Sequence, residues 1–100
     1  MRLSTSTLGA VSELLASTDL LAQGFEVFRA LSPHCGCDLI ACRDGLALRI
    51  EVRTGQRRNG TISFARSSAD DCDHYCVVLL DGTLFYDPPL PEIDELRQPG

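Results

Sequence analysis

Two short apolar runs, Cys37-Asp38-Leu39-Ile40-Ala41 and Leu48-Arg49-Ile50-Glu51-Val52-Arg53-Thr54, flank the turn Arg43-Asp44-Gly45. Asp-Gly supplies the left-handed residues of a tight turn, so the pair predicts a β-hairpin with strands over 37–42 and 46–54. A hairpin fixes which side chains share a face. Glu51, Arg53 and, by parity, Arg49 point one way, while Ile50 and Val52 point the other. Asp38, on the first strand, comes close to that charged set. A carboxylate in an otherwise apolar strand is costly unless it faces water or has a partner. Arg53 and a metal ion are the obvious candidates. Two carboxylates and a cation converging at a sheet edge suit a divalent metal and a phosphate. The simpler reading is a solvated strand face held by cross-strand ion pairs.

The rest of the chain surrounds this hairpin. Residues 4–23 read as a helix, with Leu8, Val11, Leu14, Leu15, Leu20 and Leu21 as an imperfect apolar stripe, Ser and Thr at 4–7 as caps and Gly24 as its stop. An alternating strand over 25–31 and a Pro/Gly turn over 32–36 follow. Residues 55–60 form a polar, basic loop, 61–64 a short strand or extended edge segment, and 65–73 a polar, acidic connection. The continuous apolar run 75–80 predicts a buried central strand. Asp81-Gly82 turns it into a last strand over 83–86, which Pro88, Pro89 and Pro91 close. The expectation is one α/β (α+β) domain over residues 1–90, an N-terminal helix followed by a mixed sheet of about five strands, with an acidic tail over 91–100. One hundred residues suffice for a single core without metal or disulfides.

Charge narrows the function classes. The net charge is −5 and the nine basic residues are all arginines. Non-specific grip on DNA is mostly phosphate neutralisation, so the overall acidity argues against a general DNA coater. A local basic face remains, because Arg49, Arg53, Arg57, Arg58 and Arg66 fall close together. No apolar run approaches the ~18 residues of a membrane span, and no signal-like leader is visible, so the cytoplasm is the expected compartment. The five cysteines, Cys35, Cys37, Cys42, Cys72 and Cys76, have spacings that match no common zinc knuckle. They read as small buried strand residues. Asp70, Asp71, Asp73 and His74 read as a solvated loop.

The order of helix, strand, Asp-bearing strand, Glu-x-basic strand, buried strand and hairpin resembles the PD-(D/E)XK nuclease superfamily. Within it, the chain resembles small single-domain members akin to Holliday-junction resolvases and intron-encoded endonucleases. The carriers are Leu8-Gly9-Ala10-Val11-Ser12-Glu13-Leu14-Leu15, Gln23-Gly24-Phe25-Glu26-Val27-Phe28, Cys37-Asp38-Leu39-Ile40-Ala41 and Arg49-Ile50-Glu51-Val52-Arg53-Thr54, with Asp73-His74-Tyr75 leading into 77–80. The resemblance implies a restriction-endonuclease-like core and a catalytic set of Asp38, Glu51, Arg53 and Glu13. It implies Mg2+ or Mn2+ on Asp38, Glu51 and the backbone carbonyl of Val52, with Glu13 on metal water or a second ion. Arg49, Thr54, Arg57 and Arg58 become the nucleic-acid contacts. DNA, branched DNA included, is the implied partner, and a homodimer the implied assembly, since cutting both strands needs two sites.

Arg53 departs from the pattern, which usually has lysine there. Arginine stays protonated and presents a planar fork of donors, so it can stabilise a phosphate but is a poor general base. Three readings follow: a metal-dependent endonuclease, an inactive nuclease fold that binds nucleic acid or a protein, and an interaction domain of a phage or toxin–antitoxin kind whose carboxylates only form salt bridges.

Overall fold

Ser4 adopts extended backbone and its Oγ accepts the Thr7 N–H at 3.1 Å, which starts helix α1 (Thr5–Ala22). Gly24, at φ +93°, ends it in the left-handed conformation that glycine tolerates. The last turn holds no basic residue; instead Arg43 donates Nη1 to the Gln23 carbonyl at 2.6 Å and brings a cation to the helix C-terminus. The computed structural model describes residues 3–32, 36–66 and 72–91; Cys35, Asp70, Asp71 and the tail from residue 92 lie outside them.

The strands are β1 (Glu26–Arg29), β2 (Leu39–Arg43), β3 (Leu46–Thr54), β4 (Gln56–Arg58), β5 (Thr61–Ser63), β6 (His74–Val78) and β7 (Leu84–Asp87). Five of them form a mixed sheet in the order β1-β2-β3-β6-β7, parallel between β3 and β6 and antiparallel elsewhere. The β2–β3 turn uses Asp44 at φ 50° and Gly45 at φ 81°, as the hairpin reading requires.

One sheet face carries Leu39, Ala41, Leu48, Ile50, Val52, Cys76 and Val78, packed beneath Ala16 and Leu20 of α1 and Phe25. The helix meets this face through Ser12, Ala16 and Leu20, four residues apart. Val11, Leu14 and Leu21, read from sequence as part of the buried stripe, are exposed. Two polar contacts pin the helix to the sheet: Ser12 Oγ to Thr54 Oγ1 at 2.8 Å, and the Tyr86 hydroxyl donating to Asp19 Oδ2 at 2.6 Å. Burial, with that hydrogen bond to Asp19, pushes the Tyr86 phenol up, and burial pushes the neighbouring Cys76 thiol up to about 12. Cys37, Cys42, Cys72 and Cys76 are free thiols, the first and last of them buried.

The opposite face is crossed by the chain leaving β5. Phe64 packs 5.4 Å from Tyr75 and 6.4 Å from Phe85, ring centre to ring centre. Arg66 lies 4.4 Å over Phe64 and pairs with Asp87. On this face Val77 is buried and the Glu51 side chain is 13% exposed.

Three local expectations are corrected. Residues 55–60 are no loop, because Asn59 (φ 52°) and Gly60 (φ 79°) turn them into the β4–β5 ribbon; Gln-Arg-Arg lacks the apolar alternation that marks a strand. His74 is not in a solvated loop: it opens β6, is buried, and places Nδ1 2.7 Å from the Pro88 carbonyl oxygen. The buried run ends at Leu79, since Leu79 N–H bonds to Thr83 O in the turn and Leu80 is 75% exposed.

Gly55 packs against the second face: a Cβ there would lie 2.6 Å from Val77 Cγ1 and 3.2 Å from Leu79 Cδ2. Gly55→Ala is expected to cost about 1–3 kcal/mol through overpacking, read from the urea midpoint. Asp73 accepts from the Arg49 side chain at 3.1 and 3.3 Å and from its N–H at 2.8 Å, which holds its carboxyl below the usual aspartate range. A carboxyl depressed in the folded state stabilises above the unfolded pKa and stops doing so as pH falls through the folded one. Asp73→Asn should therefore cost under about 1 kcal/mol at pH 7, a difference that shrinks as pH falls below the usual aspartate range in denaturation series, the pair being surface-exposed.

Candidate active site

β2 begins at Leu39, which pairs with Ile50, while β3 runs on to Thr54. One further step along that register sets Asp38 across from Glu51. Asp38 N–H donates to Ile50 O at 2.9 Å, and its carboxylate Oδ2 then accepts the Val52 N–H at 2.7 Å. A side chain thus replaces the ladder partner where β2 has run out. The N–H and C=O of one strand residue address the same neighbour in an antiparallel ladder, so the Val52 carbonyl opens on the Asp38 side.

Arg53 closes the arrangement. Its Nη2 donates to Glu51 Oε1 at 2.7 Å, Nη1 to the Val52 carbonyl at 3.1 Å and Nε to the Ala65 carbonyl of the strap at 3.1 Å. The guanidinium carbon also lies 5.9 Å from the centre of the Tyr75 ring. Glu51 Oε2 is buried and has no hydrogen-bond partner. An unpaired buried carboxylate oxygen is expensive, and what it lacks is a donor or a cation. Two carboxylates and a peptide carbonyl at one strand edge make an all-oxygen donor set of the kind hard divalent cations take, so these residues fit Mg2+ or Mn2+.

The other candidates are placed elsewhere. Glu13 faces Arg29, its Oε1 3.5 Å from Arg29 Nε, and lines a small cavity with Ala10, Leu14, Ser17 and Leu39. Among the described residues no three His, Cys, Asp or Glu side chains converge as a metal cluster, so Glu13 is not brought in beside Asp38 and Glu51. Thr54 lies on the helix side of the sheet, bonded to Ser12. Arg49 shares the face of Glu51 and Arg53, but its guanidinium is engaged by Asp73. Arg57 and Arg58 project from the exposed ribbon, beside a cavity of about 370 Å3 whose far wall is Leu79, Leu80 and Asp81.

Sequence reasoning missed the Ala65 carbonyl and Tyr75 as partners of Arg53, and Cys72, whose thiol is raised by burial and then by the Glu51 charge. Only the parallel β3–β6 pairing, which sets Tyr75 beside Glu51, reveals the second of these.

No curated protein matches the sequence. In structure the chain is similar to a bacterial homing endonuclease, I-Ssp6803I, with a TM-score of 0.72 at 19% identity. The match covers 85% of this chain and 65% of that one, so this chain spans somewhat under two-thirds of its length. No helix among the described residues is long and apolar enough to cross a membrane. Residues 3–83 match the family model described as PD-(D/E)XK endonuclease, with Asp38, Glu51 and Arg53 inside the matched span. The chain therefore belongs to the PD-(D/E)XK endonuclease family.

Proposed function

We propose that this protein hydrolyses DNA phosphodiester bonds with the help of Mg2+ or Mn2+ held by Asp38, Glu51 and the Val52 carbonyl. The observation that carries the reading is the buried, unpartnered Oε2 of Glu51 beside Asp38 on the Val52 edge. When bound, such an ion polarises the scissile phosphate and lowers the pKa of the attacking water. The chain's own residues do the rest. Asp38 is oriented by the Val52 N–H, and Glu51 is held on its face of the sheet by Arg53. Arg53 cannot take a proton at neutral pH; its part is to donate to the non-bridging oxygens as charge builds there.

The ribbon supports the nucleic-acid side of this reading. Gln56, Arg58, Thr61 and Ser63 share one of its faces, all exposed, while Arg57 lies opposite with Ile62. A two-stranded ribbon of this kind fits the major groove, and Arg57 and Arg58 supply its charge. Glu13, paired with Arg29, and Thr54, bonded to Ser12, are given no part in this reading. The proposed assembly is a homodimer, which gives one site per DNA strand, and the proposed compartment is the cytoplasm, where free thiols are stable.

A second reading, a nuclease fold that binds without cutting, is favoured by Arg53 itself, since a permanent cation on Glu51 holds the carboxylate away from a metal. Cleavage of linear, supercoiled and branched DNA in Mg2+ or Mn2+ separates the two. Asp38→Ala and Glu51→Ala are each expected to lower the rate at least about a hundredfold. Cleavage that survives both changes contradicts the assignment. A large rate gain in Arg53→Lys would identify the native arginine as the handicap. Replacing Arg57 and Arg58 with Ala should flatten the salt dependence of DNA binding by about one unit of slope per phosphate contact removed.

A further inference from the structure

Arg53 bonds one oxygen on each of two of the three residues assigned above to a metal, and leaves Glu51 Oε2 open. Its Nη2 is 2.7 Å from Glu51 Oε1 and its Nη1 is 3.1 Å from the Val52 carbonyl oxygen. The Nε bond to Ala65 O and the Tyr75 ring hold the group from the other side. A planar fork can reach two oxygens at once, whereas a lysine ammonium would be a single point of charge. The exchange of lysine for arginine therefore changes the metal-free protein as well as the chemistry of the phosphate.

We infer that Arg53 is a tethered cation occupying the metal site, which must release Glu51 and the Val52 carbonyl before a divalent ion binds and so sets the affinity of the site for metal. The inference rests on the proposal that Asp38 and Glu51 are the ligands. Two cations cannot share Glu51 Oε1 and the Val52 oxygen, because like charges at that spacing repel strongly in a half-buried setting. The arginine compensates the site only in part: Oε1 is bonded and Oε2 is not. Asp38, Glu51 and the Val52 carbonyl would hold a divalent ion, whose charge would compensate the carboxylates in place of the guanidinium, so metal binding would compete with the two Arg53 bonds. The Nη donors set free are then available to a phosphate oxygen, while Nε keeps its bond to Ala65.

The test is Mn2+ binding by titration calorimetry, with thermal unfolding in EDTA and in Mn2+, for the wild type, Arg53→Met, Arg53→Lys and Glu51→Gln. Arg53→Met should bind Mn2+ about ten- to a hundredfold tighter than the wild type, because the two guanidinium bonds no longer have to be broken, a cost that in the wild type is offset in part by the water the freed guanidinium binds. Its Tm should be lower than that of the wild type in EDTA and rise further on adding Mn2+. Arg53→Lys should fall between, and it carries the comparison if Arg53→Met does not fold without metal. Equal affinity in the wild type and the Arg53 variants, with binding abolished in Glu51→Gln, overturns the inference and leaves the ligand assignment standing. Binding that ignores Glu51→Gln, or no binding in any variant, overturns both.

Discussion

The fold depends on how the β2–β3 ladder ends. Regular pairing stops at Leu39 and Ile50, and the next donor on β3, the Val52 N–H, is taken by the Asp38 carboxylate. That bond lies where β3 runs past the end of β2 and goes on pairing in parallel with β6, through Thr54 and Val78. It also aims the Val52 carbonyl at the same edge and places Asp38 on the row of Glu51. A backbone carbonyl and two carboxylates share a strand edge because a single side chain substitutes for a missing strand residue.

Around that edge the structure is asymmetric. The helix face is closed by apolar packing and pinned by Ser12–Thr54 and Asp19–Tyr86. The other face is covered by one extended strap, Phe64 on Tyr75 and Phe85, with Arg53 bonded to the strap's Ala65 carbonyl. Burial of Glu51 therefore comes from a thin layer and from an arginine. Its charge is compensated at Oε1 by the Arg53 guanidinium, which is itself held by the Ala65 carbonyl and the Tyr75 ring.

Much of this was legible in the residues. Asp44-Gly45 fixed the hairpin, parity put Glu51 and Arg53 on one face, and the order of elements pointed to the nuclease family and to a helix followed by a mixed five-stranded sheet. What stayed hidden required contacts between distant segments. Arg49 meets Asp73, Thr54 meets Ser12, and Glu13 meets Arg29, and no local pattern encodes these pairs. The apolar stripe of α1 misled for a related reason: close packing on the sheet selected the small residues Ser12 and Ala16, leaving Leu14 and Leu21 outside. The Asn59-Gly60 turn was visible, but the charged ribbon around it had no apolar rhythm to mark it as strand.

The β2–β3 edge is proposed to be a cation site. Anomalous diffraction from crystals soaked in Mn2+ tests it most directly. The expected result is one strong peak bonded at about 2.0–2.6 Å to Asp38, Glu51 and the Val52 carbonyl, with the Arg53 guanidinium moved off the last two. A Mn2+ peak elsewhere, or an Arg53 that keeps both bonds at saturating Mn2+, would contradict it.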